Sequence, residues 1–245
     1  MNFVRQATVG AVSTVLFLGV SLSFGQSIPS PDEATLPNDE VLVNASMSPF
    51  SIDAKALRRA AATYEKDRSL APEAPLRFRV IDRTLNAESL RIWIERGDVA
   101  ETVAVGADGL LSLPQVAFAD GARLHANRSE EALTLTPEIL SPSTALHTRR
   151  LGDLRLQCRV HLALRIYEEP LYVRALMPPV SMVCNSKNFG YYAYTGFQVE
   201  SAEIRGADAY KAVRGDKSKA ITKGGDYVAP LHDRSISDDA IIELK

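Results

Sequence analysis

The sequence of 245 residues has few of the features that mark a reaction centre. It contains two cysteines, four histidines and one tryptophan. No Gly-x-Ser-x-Gly, His-Glu-x-x-His or Gly-x-Gly-x-x-Gly pattern occurs, and there is no phosphate loop. The histidines are scattered without the spacing of metal ligands. These absences argue against the common hydrolase, metalloprotease and dinucleotide-binding classes, and we expect no cofactor, no metal site and no catalytic residue.

An excess of charge of one sign is also lacking. The chain has 28 Lys and Arg against 30 Asp and Glu, which gives a formal net charge of -2. A protein that binds nucleic acid usually has a clear basic excess, because phosphate contacts supply much of its affinity. We therefore expect no nucleic acid among the partners.

The first 25 residues resemble a secretory leader. A single charge, Arg5, precedes an uncharged apolar stretch over residues 7–24, and small residues precede a cleavage position before Gln26. A membrane anchor is the alternative, because the stretch approaches the length of a bilayer-spanning helix. The polar, proline-containing segment that follows favours cleavage. We therefore predict a periplasmic or secreted protein with residues 1–25 removed and no stable membrane span.

The two cysteines predict one disulfide bond. Oxidising compartments convert paired thiols to disulfides, and a redox-active pair would more typically be spaced Cys-x-x-Cys. Cys158 and Cys184 are 26 positions apart. Closing that loop should stabilise the fold by roughly 3.5 kcal/mol in the chain-entropy model.

The chain divides into segments of different pattern. Residues 26–50 contain four prolines and little periodicity, which predicts an extended arm or linker, although the run at 40–43 could pair with a sheet edge. An amphipathic helix is predicted over 54–66, with Ser51 or Asp53 as its N-cap. Prolines and small polar residues at 136–144 suggest a boundary between a unit at 51–140 and a second β-rich unit at 151–245.

From residue 76 the apolar period falls to two. Short strands are predicted at 76–81, 90–94, 99–105, 110–113, 122–126 and around 133–135, separated by turns rich in Gly and Asp. Short connections are sufficient for consecutive antiparallel strands. The predicted fold is therefore mainly β, with one or two antiparallel β-sandwich-like units and a short N-terminal helix.

The first β-rich unit also resembles a known family. The sequence Leu-Arg-Ile-Trp-Ile at 90–94, followed at 103–114 by an Asp-Gly turn and a strand ending in Leu-Pro, is similar to carboxypeptidase-regulatory-like (prealbumin-type) β-sandwich modules. The likeness covers about residues 76–140. It implies a β-sandwich that serves as a non-catalytic companion or adhesion scaffold, and it supplies no catalytic residue.

Residues 154–166 are apolar at every second position, which predicts one long strand with Cys158 facing the core. Leu151, Leu154, Cys158 and Leu162 also fit one face of a helix, so a helix is the alternative. Short strands are predicted further on, at 227–229 and 240–244, and a charged, flexible loop at 207–223.

A strand at 154–166 would carry cations on its other face. The candidate binding residues there are Arg155, Arg159, His161 and Arg165. A row of guanidinium groups could hold the phosphate, sulfate or carboxylate groups of an envelope polymer, because the guanidinium fork matches such oxyanions. The alternative is that these cations pair with acids on neighbouring strands and protect a sheet edge.

Tyr191, Tyr192 and Tyr194 are the second set of candidate binding residues. Exposed tyrosines stack on sugar faces or contact protein partners. Their preference for β-sheets explains the same run equally well.

Together these features predict an exported, non-enzymatic binding or structural module of the cell envelope. Its expected partner is a protein or an envelope glycan. The alternative is a secreted hydrolase of polysaccharide or peptidoglycan, because carboxylates on distant strands can form an acid pair that leaves no local motif.

Overall fold

The computed structural model describes residues 48–84, 90–142, 144, 145, 147–194, 199, 201–205, 211, 212 and 227–245, all of which belong to one compact unit. The predicted leader, residues 26–47 of the predicted arm, the run at 40–43 and most of the loop at 207–223 lie outside the described residues. The end of the arm is not a linker, because Pro49 and Phe50 belong to a strand that pairs with residues 123–129. The helices and strands are β1 (Pro49–Asp53), α1 (Ala54–Asp67), β2 (Leu76–Asp82), β3 (Ile92–Arg96), β4 (Val99–Val103), β5 (Leu110–Leu111), β6 (Arg123–Ser129), β7 (Leu133–Ile139), β8 (Thr148–Arg150), α2 (Leu151–Glu168), α3 (Leu171–Leu176), α4 (Val180–Cys184), β9 (Tyr192–Ala193), β10 (Ala202–Arg205), β11 (Lys211–Ala212), β12 (Tyr227–Val228) and β13 (Ile241–Leu244).

Helix α1 confirms the prediction for residues 54–66. Asp53 is its N-cap and accepts a hydrogen bond from the backbone N–H of Lys55 at 2.7 Å. Leu57, Ala60 and Tyr64 are buried, as their helical spacing predicts. The Tyr64 hydroxyl donates to the carbonyl of Ala74 at 2.6 Å and so fixes the chain that follows the helix.

Antiparallel strands from the first half of the chain form two sheets, in the orders β1-β6-β3-β4 and β5-β2-β7. The predicted strands are found, and the fold is mainly β with a few helices. Gly97 joins β3 to β4 with φ 58°, and Gly109 precedes β5 with φ 73°. Both positions lie in the left-handed region that glycine adopts at little cost.

The buried side chains of these two sheets and α1 form one cluster, here called the first core. Its large members include Phe50, Ile52, Leu57, Tyr64, Phe78, Ile92, Ile94, Leu111, Leu124, Leu133, Leu135 and Ile139, joined by Leu156, Val160 and Leu164 of α2. Burial of these groups supplies the main favourable term for this half of the fold.

Residues 151–168 form helix α2, so the predicted strand over 154–166 is wrong and the helical alternative is correct. Leu156, Val160 and Leu164 face the first core, whereas Leu154, Cys158 and Leu162 face a second one. Each set repeats every four residues, as one helix face does, and the two sets are offset by two positions. A helix buried on two sides therefore reproduces the alternation of a strand.

The second core lies on the other side of α2. It contains Leu151, Leu154, Cys158, Leu162, Cys184, Tyr191, Val199, Ile204, Tyr227, Leu231, Ile236, Ile242 and Leu244. Its strands form the sheets β11-β10-β13-β8 and β12-β9. The predicted strands near residues 227 and 241 are therefore confirmed. Helix α2 contributes side chains to both cores. The division of the chain into units at 51–140 and 151–245 stays a prediction.

Covalent and ionic contacts join α2 to the rest of the second core. The sulfur atoms of Cys158 and Cys184 are 2.08 Å apart, which confirms the predicted disulfide pair. Arg155 donates to the backbone carbonyls of Leu231, Asp233 and Ile236 at 2.6–3.2 Å.

None of the helices in the described part of the chain is both long and apolar enough to cross a membrane.

Candidate binding site

A polar stripe on α2 covers the edge of strand β7. Asp153, Gln157, His161 and Arg165 are four residues apart and so lie along one face of the helix. The Gln157 side chain accepts the backbone N–H of Ile139 at 3.1 Å, and Asp153 accepts that of Ser141 at 2.7 Å. An uncovered strand edge would leave such N–H groups without protein partners. The stripe therefore satisfies the N–H group at the end of β7 and one in the segment that follows it.

His161 occupies the middle of this stripe as a neutral group. Its Nδ1 lies 3.5 Å from both the Thr136 Oγ1 and the Tyr191 hydroxyl. Burial lowers the pKa of His161 to about 3, and the positive charge of Arg165 adds to the effect. The prediction that His161 contributes a cation to an anion site therefore has no support at neutral pH.

Because α2 is a helix, it does not present the four candidate cations as one row: Arg155 and Arg159 lie on one face, and His161 and Arg165 lie on another. Arg155 is 3% exposed and pairs with Asp238 in addition to its three backbone carbonyls. Arg159 Nη1 lies 3.0 Å from the Asp67 carboxylate of α1. Arg165, at the last turn of α2, is among the residues that line a cavity. The alternative of ion pairing thus describes Arg155 and Arg159, although their partners are not on neighbouring strands.

The three candidate tyrosines have different environments. Tyr191 is buried, its hydroxyl accepts a hydrogen bond from Gln157 Nε2 at 3.2 Å, and burial raises its pKa. Tyr192 on β9 is 39% exposed. Tyr194 lines a cavity of about 680 Å³ that also includes Asp82 and Arg91. The tyrosines therefore do not present one continuous aromatic surface.

Helices α3 and α4 carry an exposed apolar surface that the sequence analysis missed. Leu171, Tyr172, Leu176 and Met182 are 63–84% exposed and are here called the α3–α4 face. Residues 171–184 contain one charged residue, Arg174, and this low charge beside three prolines was the available signal. No binding role was predicted for these residues, because low charge alone does not distinguish an exposed apolar surface from a buried one.

The α3–α4 face is held in place at both ends. Pro170 and Pro179 precede the two helices, and the disulfide bond joins Cys184 at the end of α4 to α2. The guanidinium group of Arg174 lies over the ring of Tyr167, 4.8 Å from its centroid. Arg174 thus anchors α3 to the end of α2 by a cation–π contact.

A cavity of about 490 Å³, here called the α2 cavity, opens beside the last turn of α2. Its polar and aromatic lining comes from four parts of the chain. These residues are Phe50, Ser51, Asp53, Arg123, Glu130, Thr134, Arg165 and Tyr167. Arg123, Glu130 and Thr134 were not predicted here, because only the tertiary fold brings β6, β7 and α2 together.

Three acids that are largely buried in the described residues are already engaged. Asp82 pairs with Arg128 at 3.0 Å, Glu138 with Arg79, and Asp153 with Ser141 and Arg150. Burial opposes ionisation of Asp82, but hydrogen bonds from Thr84 and Arg128 outweigh it and lower the pKa of this carboxyl. A glycosidase acid needs the opposite shift. Asp82 therefore lacks the protonation behaviour of a general acid.

Two surfaces of the described residues have side chains suited to binding another molecule. The α3–α4 face is apolar and exposed, whereas the α2 cavity has a charged rim. A metal ion has no candidate site among the described residues, which hold no group of three or more His, Cys, Asp or Glu side chains suited to one. Comparison of the chain with protein-family models, with curated proteins and with solved structures finds no match.

Proposed function

We propose that this chain is an exported, non-enzymatic binding protein of the cell envelope, and that it docks a protein partner on the α3–α4 face. The observation that carries the proposal is the exposure of Leu171, Tyr172, Leu176 and Met182 on two adjoining short helices. Neighbouring large apolar side chains on a protein surface are typical of an interaction site. The disulfide bond supports export, because such bonds persist in oxidising compartments.

The composition of the face favours a protein partner. Aromatic residues and methionine are enriched in the centres of protein interfaces, and charged residues are depleted there. The one charge in residues 171–184, Arg174, already contacts Tyr167. Docking would therefore bury Leu176 and its neighbours while removing little charge from water.

The attachment of the two helices supports the same proposal. Helices of six and five residues are too short to be stable in isolation. The prolines and the Cys184 bridge hold them in one arrangement before any partner binds. Such preorganisation reduces the entropy lost on association.

The likeness of residues 76–140 to carboxypeptidase-regulatory-like modules agrees with a companion role without catalysis. The hydrolase alternative would need two carboxylates in one cavity, and Asp53 and Glu130 do line the same one. Asp53, however, caps α1 and lies 3.9 Å from Arg123. We therefore favour binding. Polysaccharide hydrolysis that is lost in Glu130→Gln would instead support the enzyme.

Site-specific crosslinking tests the proposal. A photoreactive residue replaces Leu176 or Tyr172 in the disulfide-bonded protein, within the envelope of the source cells. Val99 on β4 is the matched control, because it is also a large apolar residue and is 68% exposed. We expect one discrete protein adduct from positions 172 and 176 and none from position 99.

The adduct then permits a quantitative test with the purified partner. Leu171→Ser combined with Leu176→Ser should weaken binding at least tenfold, whereas Val99→Ser should leave it unchanged. All three positions are exposed, so these variants should fold normally. The proposal would be overturned by the absence of an adduct, by equal adducts from position 99, or by an adduct that contains lipid or a second copy of this chain.

A further inference from the structure

We propose that the outer face of the sheet β1-β6-β3-β4 binds an uncharged saccharide chain, with the ring of Trp93 as its platform. The inference goes beyond the docking of a protein on the α3–α4 face and does not depend on it. Two rows of side chains that cross the four strands carry the argument and are here called the Trp93 face. The rows are Ser51, His125, Trp93 and Thr102, and Asp53, Arg123, Glu95 and Ala100.

The strand register places the first row in line across the sheet. Trp93 of β3 is opposite both His125 of β6 and Thr102 of β4, and His125 is opposite Ser51 of β1. Residues directly opposite each other in antiparallel strands share one face of the sheet. Neighbouring strands are about 4.8 Å apart, so the row extends for about 14 Å. That length can contact several sugar units of one chain.

The Trp93 face points away from the first core. Ile92, Ile94 and Leu124, which alternate with the residues of the two rows, are each 1% exposed and belong to that core. Successive side chains of a strand point to opposite sides of the sheet. Thr102 is exposed and Trp93 is partly exposed, as this alternation requires. A ligand can therefore reach the indole ring from outside.

The ring of Trp93 is held in one orientation. It stacks on the His125 imidazole, with 5.6 Å between the ring centroids and 18° between the ring planes. The Nε2 atom of His125 lies 3.5 Å from the Glu95 carboxylate, which restrains the imidazole in turn. A ring that is fixed before binding loses little conformational entropy on association. It presents a flat apolar surface of the kind that the C–H face of a pyranose ring matches.

The second row supplies polar groups without a free positive charge. Glu95 is opposite Arg123, and Arg123 is opposite Asp53, to which it is ion-paired at 3.9 Å. The Glu95 side chain is 55% exposed. A carboxylate accepts hydrogen bonds, and a sugar hydroxyl can donate them. The two acids around one base leave no positive excess for an anionic polymer, so the row favours an uncharged ligand that is rich in hydroxyl groups.

The surroundings of Trp93 favour a sugar over a protein partner. The centre of a protein interface is usually depleted of charged residues. In the two rows Trp93 is the one large apolar side chain, and a carboxylate and hydroxyl groups lie close to it in the register. The α3–α4 face has the opposite composition, with four large apolar side chains together. An apolar platform with a few polar groups around it is typical of a small-molecule site.

Small side chains flank the aromatic pair at both edges of the sheet. Ala100 and Thr102 lie on the edge strand β4, and Ser51 lies on the edge strand β1. Because such short side chains do not enclose the ring, a ligand can extend past Trp93 in both directions. A β-linked chain of glucose-type sugars has this extended, ribbon-like shape, whereas the α-linked chain of the same sugar curves. We therefore expect selectivity for the β-linked chain.

Titration of the disulfide-bonded protein tests the inference. The probes are cellotetraose and chitotetraose, and maltotetraose is the control ligand, since it is the curved isomer of cellotetraose. Trp93 is the single tryptophan of the chain, so tryptophan fluorescence reports from the site itself. We expect a saturable change in fluorescence with one or both probes, one site per chain by calorimetry, and at least tenfold weaker binding of maltotetraose.

Variants locate the binding on the Trp93 face, and calorimetry measures them because they lack the fluorescent ring. Trp93→Ala should weaken binding at least tenfold, because it removes the platform. Trp93→Phe retains an aromatic ring and should recover part of the affinity, which a purely structural role would not explain. Tyr192→Ala is the matched control, since Tyr192 is an aromatic residue on β9 that is 39% exposed. It should bind as the unchanged protein does.

Four results would overturn the inference. They are the absence of saturable binding for both probes, equal affinity for maltotetraose, an affinity that folded Trp93→Ala retains, and a protein adduct from a photoreactive residue at Thr102 in the cell envelope. Circular dichroism and the melting temperature verify that each variant is folded. Val99, the control for the α3–α4 face, lies opposite Arg96 and so on the other face of this sheet. Either proposal can therefore fail without the other.

Discussion

The two hydrophobic cores of this protein differ in the contacts that join their elements. In the first core the hairpin β3–β4 joins consecutive strands, whereas the pairs β1–β6 and β2–β7 bring together strands that are far apart in the chain. The second core contains α2 and β8, which are consecutive, and β8 pairs with β13 from the last residues of the chain. It is joined by the disulfide bond and by Arg155. We therefore expect single changes at these ties to be costly, and changes at local features of the first core to be mild.

The largest effect is expected from Arg155→Met. The substitution keeps an unbranched chain but leaves the carbonyls of Leu231, Asp233 and Ile236, and the Asp238 carboxylate, without their donor. Breaking a buried ion pair from one side should cost about 3–5 kcal/mol. Urea unfolding measures the loss of stability. The control is Arg59→Met on the surface of α1, whose free energy of unfolding should differ from that of the unchanged protein by no more than about 0.5 kcal/mol. A cost below about 1 kcal/mol for Arg155→Met would contradict this view of the second core.

The disulfide bond is expected to have the next largest effect. Cys158→Ala with Cys184→Ala opens a loop with a sequence separation of 26, which should reduce the free energy of unfolding by roughly 3.5 kcal/mol. Unfolding in guanidinium chloride measures this reduction. A reductant should destabilise the unchanged protein but not the double variant. The α3–α4 face should also lose its fixed position, which proteolysis between residues 169 and 184 would detect. Equal resistance of both proteins would show that the bridge does not restrain these helices.

Gly152→Ala should cost about 1–3 kcal/mol, because it introduces a clash at the start of α2. A Cβ at this position would lie 2.2 Å from the Leu70 carbonyl oxygen and 3.1 Å from the Asp238 Cβ. Gly190→Ala is the matched control, since its nearest neighbour would be at 3.7 Å. Thermal unfolding of the two variants makes the comparison. If the two variants had the same melting temperature, the close approach of α2 to the first half of the chain would be unimportant for stability.

The number of buried faces on an element explains which elements were predictable. Helix α1 is apolar on one face and has a cap in Asp53, and both signals are local. The strands of the first core alternate because one side faces the core and the next residue does not. Helix α2 is apolar on two faces, so Leu154, Leu156 and Cys158 gave the period of a strand. Only the tertiary contacts distinguish these cases.

The candidate site shows a similar limit of sequence reasoning. The pairing of Cys158 with Cys184 required no geometry, because no other pairing exists. The α2 cavity could not be predicted, because Arg123 of β6, Thr134 of β7 and Arg165 of α2 come from separate elements. The α3–α4 face left a weak local signal in its low charge. That signal could not show whether Leu171 and Leu176 are buried or exposed, since both states have the same composition.

His161 allows a pH-dependent test at the boundary of the two cores. Its pKa is about 3 in the folded chain and near 6.5 in an unfolded one. Between these values the unfolded chain binds more protons, so stability should fall as the pH falls from 6.5 towards 3. Because the ring is half-buried, solvent screens part of this effect. We expect His161 to reduce the free energy of unfolding by about 1–2 kcal/mol between pH 7 and pH 4.5. Urea unfolding of His161→Gln should show a shallower pH dependence, and an identical slope would contradict the assignment.

The smallest effect is expected in the first core, at the cap of α1. Asp53→Ala removes the acceptor for the Lys55 N–H and should cost about 1 kcal/mol. Asp53→Asn retains a side-chain oxygen in the same place and should cost little, because asparagine is as good an N-cap. Both variants are compared by urea unfolding. A cost for Asp53→Ala as large as that for Arg155→Met would mean that the first core also depends on single residues, and the contrast between the two cores would fail.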